Sequence, residues 1–85
     1  MELEQLRIFT AVADCGGFSA AARRLYISHS TTSRAVAALE EELGVKLLER
    51  GSHCVRLTPA GELLLREAKS LLEAADTIAD KVKNV

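Results

Sequence analysis

Eighty-five residues, 48% of them apolar, 4% aromatic and none of them Trp, make one small domain with a modest core, and abundant Ala and Leu favour helices over a β-sandwich. No apolar run approaches the roughly 20 residues that span a bilayer, the acidic start MELEQLR does not read as a signal peptide, and two cysteines exclude a disulfide framework. The net charge of −1 argues at first against nucleic acid, but its distribution matters more than its sum: from Arg23 to Leu39 the chain carries Arg23, Arg24 and Arg34 and no acid.

Leu3, Leu6, Phe9, Val12 and Ala13 recur at helical spacing and predict a first helix with one apolar face. Gly16-Gly17 ends it and turns the chain. Phe18 followed by Ser19 reads as a staple residue and an N-cap. Ala20 to Leu25 is a short second helix whose alanines let a neighbour approach closely. Tyr26-Ile27 connects it to SHSTTSRAVAALEEEL, a third helix over Ser28–Leu43. Ser28 is expected to cap this helix, and Gly44 to end it in the left-handed conformation. Val36, Leu39 and Leu43 form its apolar stripe. His29, Ser30, Thr31, Ser33 and Arg34 lie outward near its start, while Glu40, Glu41 and Glu42 read as a solvated end. Short donors and one Arg, kept apart from carboxylates, suit base edges and phosphates. On these residues alone an ordinary solvated surface is the simpler reading. Two short helices joined by a tight turn, the second capped and polar at its start, nevertheless make the helix-turn-helix pattern.

After Gly44 the texture changes. Val45 to Arg50 and Cys54 to Leu57 flank Gly51-Ser52-His53, predicting a small β-hairpin, or wing, with Gly51 supplying unusual backbone angles. Thr58 caps and Pro59 opens a long helix that runs uninterrupted to about Lys83. Some 24 residues reach about 36 Å, more than a globule of this size covers. Leu64, Ala68, Leu71, Ala75, Ile78 and Val82 repeat as a heptad seam, with Leu65, Leu72 and Ala79 on a second line. One line is expected to face the domain's own core and the other a partner helix; Leu64, Ala68, Leu71, Leu72, Ala75, Ile78 and Val82 are the candidates for dimerisation. The alternative is one amphipathic helix lying on its own domain. Gly61 is expected to permit close packing of this helix on its neighbour.

Taken together, LEQLRIFTAVADCGGFSAAARRLYIS, the SxxxxSR of Ser28 to Arg34, LEEELGVKLLER and VRLTPAG, in this order and without a gap, resemble the N-terminal DNA-binding domain of LysR-type transcriptional regulators. The N-terminal domain of molybdate-responsive regulators is also similar, but the heptad helix and LEEELG fit LysR better. The resemblance implies a mainly α winged helix-turn-helix domain over residues 1–58, with a three-helix core and a short hairpin wing. A linker helix over 59–85 then pairs two subunits. It implies binding of double-stranded promoter DNA as a homodimer, or as a tetramer in the full-length protein, with residues 28–43 in the major groove and the wing near the minor groove. It also implies a further domain that binds a small-molecule effector; that domain is absent here, and the chain is expected to be a fragment cut after the linker helix.

Carried over residue by residue, the resemblance puts His29, Ser30, Thr31 and Arg34 at or against bases. Ser28 and Ser33 fall at phosphate or capping positions, and Arg50, His53 and Arg56 where the family meets backbone or minor groove. Three departures matter. The family usually has Gln-Pro where this chain has His29-Ser30, so a different base preference is expected there. It often has Leu, Val or Ile where this chain has Thr32, whose inward hydroxyl would need a partner such as a carbonyl one turn back. Its wing tip is richer in Arg than Ser52-His53-Cys54; the groove contact is expected to be weaker, and to strengthen below about pH 6.5 as His53 protonates.

Other chemistry finds little support. No Ser–His–Asp arrangement or Gly-rich phosphate loop is present, so no enzyme and no cofactor are expected. Cys15, His29 and the adjacent His53-Cys54 lack ligand spacing for a metal. The cysteines are expected to be free thiols in a reducing bacterial cytoplasm. The competing class is a protein-interaction module that binds no DNA, for which near-zero net charge is the best argument.

Overall fold

The computed structural model describes residues 1–51 and 54–85, so the wing-tip expectations for Ser52 and His53 lie outside the described residues. The elements run α1 (Leu3–Cys15), α2 (Phe18–Leu25), α3 (His29–Leu43), β1 (Leu48–Arg50), β2 (Val55–Leu57) and α4 (Pro59–Lys83).

The α1 backbone starts where the Glu2 N–H donates to Gln5 Oε1 (3.0 Å), a cap that uses a first-turn side chain to satisfy an otherwise free donor. It ends at Gly16, whose φ of 77° lets its N–H close back on the Val12 carbonyl. Leu6, Phe9 and Val12 point into the core as their spacing predicts, joined by Ile8 and Ala11; Leu3 is exposed and Ala13 half-buried. Helix α2 begins two residues earlier than expected. Phe18 is its first residue and Gly17 its N-cap, so Ser19 lies inside the first turn and caps nothing. Tyr26 closes α2 in the left-handed region (φ 57°), which a non-glycine residue adopts at a cost.

Ser28 caps α3 as expected, its hydroxyl accepting from Thr31 N at 3.0 Å, and Gly44 ends the helix at φ 70°. The inward stripe is Thr32, Val36 and Leu39, all essentially inaccessible; Leu43, assigned to this stripe from its spacing, is exposed. Leu43 is the last residue of α3, and at this helix end it remains 40% exposed.

The hairpin strands have three residues each, shorter than the apolar runs that predict them. They pair antiparallel with Leu48 opposite Leu57 and Arg50 opposite Val55. The expected role of Gly51 is not met. It lies outside the left-handed region, and its N–H donates to the Cys54 carbonyl at 2.8 Å. One backbone bond, Val55 N–H to Gly16 O (3.2 Å), pins the hairpin to the end of α1, while Thr58 N–H to Leu47 O (3.1 Å) continues the ladder to the start of α4. An isolated pair of such strands would be marginal in water, so this attachment is what orders it.

Thr58 does double duty. Its hydroxyl accepts from Gly61 N (3.0 Å) to cap α4 and donates to Lys46 O (2.6 Å). At Gly61 the helix meets the Leu47 backbone so closely that a Cβ would overlap the Leu47 carbonyl oxygen. Ala68 and Leu72 then enter the core against α1. The first half of α4 is thus part of the globule and its second half projects, giving extents of 50 × 26 × 18 Å.

Candidate nucleic-acid interface

Burying Thr32, Val36 and Leu39 fixes how α3 is rotated. It leaves His29, Ser30 and Arg34 exposed, with Thr31 and Ser33 half-buried between them. Thr32 carries a polar atom into the core, and its hydroxyl donates to Ser28 O at 3.0 Å, a carbonyl one turn back, so the group is satisfied. The start of the helix is organised by hydroxyls. Ser28 Oγ donates to Thr31 Oγ1 (2.8 Å) and lies 3.2 Å from Ser30 Oγ. Arg34 Nη2 lies 3.5 Å from Thr31 Oγ1, the outer limit of a hydrogen bond, which inclines the guanidinium toward the N-terminal end of α3.

Beside this helix start the wing contributes Arg50. Its guanidinium carbon lies 4.6 Å from the centroid of the Phe18 ring, a cation–π contact. The same ring faces the His29 imidazole, centroids 6.0 Å apart and tilted by 48°. A cleft of about 490 Å³ between the starts of α2 and α3 and the wing is lined by Phe18, Arg23, His29 and Arg50 among others, and among the described residues no acid lines it. Arg56 is exposed on β2 and sits opposite Glu49 in the strand register.

The acids of α3 are not simply solvated. Glu40 is mostly buried; its Oε2 accepts from Leu47 N (2.8 Å) and Leu48 N (3.4 Å), holding the turn that leads into β1. Glu42 pairs with the N-terminal ammonium at 2.7 Å. These two carboxylates are therefore committed at the end of α3 farthest from His29 and Arg34. Sequence reasoning missed Glu40 because its partners lie seven and eight residues on, across a turn, where no helical or strand period connects them. It also missed Phe18 as anything beyond a staple, since the ring's polar neighbours come from α3 and β1.

The α4 candidates divide. Ala68 and Leu72 are buried in the chain's own core, so they are not available to a partner, and Leu64 packs partly on the same core. Leu71, Ile78 and Val82 are exposed, and Ala75 is half-buried between them. Leu63, outside the heptad reading, is exposed as well. On the opposite side two ion pairs tie α4 to α1: Lys69 to Asp14 (3.0 Å) and Asp76 to Arg7 (2.7 Å). The hydrogen bond from Arg7 holds the Asp76 carboxyl below the ordinary carboxylate range, and the same bond raises the Arg7 guanidinium. Among the described residues no helix is long and apolar enough to cross a membrane.

Three packed helices with a tight turn between α2 and α3, a short hairpin beside them and an acid-free helix start define a winged helix-turn-helix protein. The family model described as bacterial regulatory helix-turn-helix protein, lysR family, matches residues 3–62. The chain belongs to this family. The HTH-type transcriptional regulator TfdS of Cupriavidus pinatubonensis is 48% identical over 81 residues, covering 95% of this chain and 28% of TfdS. Among solved structures, the CbnR DBD–DNA complex superposes with a TM-score of 0.93 at 43% identity, covering 99% of this chain and 97% of that one. The BenM DBD bound to catB site 1 DNA superposes with a TM-score of 0.95, also at 43% identity, covering 99% and 93%. The chain spans 28% of the length of TfdS, so its likeness to that protein is confined to the part compared.

Proposed function

We propose that this chain is the DNA-reading part of a LysR-type transcription regulator, with residues 1–58 as the reading domain and 59–85 as the helix that pairs two copies. The observation that carries the reading is the rotation of α3. Its inward stripe is Thr32, Val36 and Leu39, which turns His29, Ser30 and Arg34 outward beside a cleft to which Arg23 and Arg50 add positive charge, while Glu40 and Glu42 are held at the far end of α3. A helix start of this kind enters the major groove of double-stranded DNA. Arg34 is assigned to guanine, whose O6 and N7 it can bond together. His29, Ser30 and Thr31 read or abut neighbouring bases, Ser28 and Ser33 approach phosphate, and Arg50, His53 and Arg56 meet backbone or the adjacent minor groove. CbnR and BenM DNA-binding domains in complex with DNA support this placement by likeness.

Pairing is assigned to the exposed α4 stripe, Leu71, Ala75, Ile78 and Val82, with Leu63 at its near end. The full protein is proposed to be a dimer or tetramer that acts in the bacterial cytoplasm on the nucleoid, takes its small-molecule effector in a further domain, and carries no enzymatic activity. Its relative TfdS is a transcriptional regulator by name.

Selection of bound duplexes from a random pool, followed by gel shift at two salt concentrations, tests the reading. Retention should fall steeply with salt. Arg34→Ala should remove on the order of 1–3 kcal/mol of preference for the selected site over random DNA. Equal weakening on both would make Arg34 a phosphate clamp. No salt-dependent retention at low salt would sink DNA binding and favour the protein-interaction module.

A further inference from the structure

We infer that Phe18 is a positioning residue for base reading at His29, and that through its ring the wing residue Arg50 is coupled to that reading; this rests on α3 meeting DNA as proposed above. Phe18 opens α2 and is nearly buried in the core, so its ring is held by packing on one side. Its remaining surface has two polar neighbours from two other elements: the Arg50 guanidinium over the ring and the tilted His29 imidazole. Both distances fall in the attractive range for their contact type.

Among the described residues neither side chain has a stronger anchor. No hydrogen bond or ion pair holds the His29 ring or the Arg50 guanidinium to another described side chain. The aromatic contact orients both side chains while leaving their N–H groups for a ligand. This matters more for an imidazole than for the amide arm common in the family. Each ring nitrogen offers one donor or one acceptor, so the tilt of the ring decides which atom meets a base edge. A buried ring that fixes that tilt fixes the preference. Because Arg50 lies on the same ring, moving the wing onto or off DNA changes the contact that orients His29. Two sites on different elements are thus coupled by a third residue that touches no base.

The test uses the full 85-residue chain and a randomised duplex pool. Phe18→Leu keeps apolar bulk but removes the ring. It should lower base preference about tenfold at one position, the position that His29→Ala also flattens, and add nothing on top of His29→Ala. Phe18→Tyr, which keeps the ring, should restore the preference. Uniform weakening at every position, or a loss at a position that His29→Ala leaves intact, overturns the inference and leaves Phe18 a core residue only. In the free wild-type chain, an NMR cross-relaxation peak between Phe18 and His29 ring protons is expected whether or not any variant folds; its absence also overturns the inference. A wild-type chain that selects no motif overturns base reading itself, whereas a clear motif unmoved by Phe18→Leu overturns only the role of the ring.

Discussion

Helix α3 and the far half of α4 are written in the same periodic pattern and meet opposite fates. On α3 the stripe Thr32, Val36 and Leu39 is at most 1% exposed. On α4 the stripe past Leu72 is bare, with Ile78 57% and Val82 67% exposed. Periodicity states which residues share a face; it does not state what covers that face. Cover is decided by reach. Helix α3 lies across α1 and α2, with a cap at one end and the Glu40 clamp near the other. Helix α4 outruns α1, and the Arg7–Asp76 pair is its last side-chain tie to that helix among the described residues. The covered stripe fixes the orientation of α3, and the bare one leaves the far half of α4 without apolar cover from its own domain.

The largest expected effect separates these two stripes directly. Leu39→Ala should cost about 3 kcal/mol, the usual result of a cavity at a fully buried leucine. Ile78→Ala should cost nothing in dilute chain and lower stability only at concentrations where copies pair. Urea unfolding at two protein concentrations reads both. Equal losses from the two variants in dilute chain would mean that the far half of α4 folds onto its own domain.

A smaller effect probes where α4 stops being bare. Gly61→Ala should cost about 2 kcal/mol through overpacking, because the added methyl meets the Leu47 carbonyl and backbone cannot rotate aside as a side chain can. That carbonyl also accepts from Thr58 N–H, so the hairpin should loosen with the helix, visible as faster amide exchange at Thr58. A Gly61→Ala variant of undiminished stability and unchanged exchange rate would show that the contact has slack.

Smaller again is the clamp at the other end of α3. Glu40→Ala leaves the Leu47 N–H without its acceptor and should cost about 1.5 kcal/mol. Glu41→Ala, one residue along on an exposed position, should stay within about 0.5 kcal/mol. If the two variants unfolded at the same urea concentration, the turn into β1 would be held by packing alone.

What could be read in advance was what a few neighbouring residues decide. Ser28, Gly44, Thr58 and Pro59 act within one turn of where they stand, so their chemistry marks helix ends directly. Thr32 was legible for the same reason, its acceptor lying four residues back. Leu43 and Ser19 were misplaced because a face and a cap depend on where each helix ends and which residue starts its first turn. Glu40 and the Arg50–Phe18–His29 column depend on contacts that only the assembled fold brings together. Of the candidate site, the outward placement of His29, Ser30 and Arg34 was legible; the division of α4 into Ala68 and Leu72 inside and Leu71, Ile78 and Val82 outside was not. The expected split, one line inward and the other outward, is not the one found: Ala68 of the first line and Leu72 of the second are both buried, while Ile78 and Val82 of the first and Ala79 of the second are exposed, so the division runs along the helix.

The smallest expected effect lies at the point where α4 leaves the globule. Asp76 titrates below the ordinary carboxylate range because Arg7 donates to it, so the folded chain holds this proton less well than the unfolded one. A group depressed on folding stabilises above its unfolded pKa, about 3.9 for Asp. That contribution fades as pH falls through the lower folded value. The raised Arg7 gives the mirror case, lost only as pH climbs through the far alkaline range, so the acid limb is the one to measure. Both side chains are well exposed, and water and salt screen most of the attraction. Asp76→Asn should therefore lie slightly below wild type in stability near neutral pH and converge with it in acid. Added salt should narrow the neutral gap. A gap that persists at low pH would assign the loss to packing of the Asp76 side chain in the α1–α4 groove rather than to its charge.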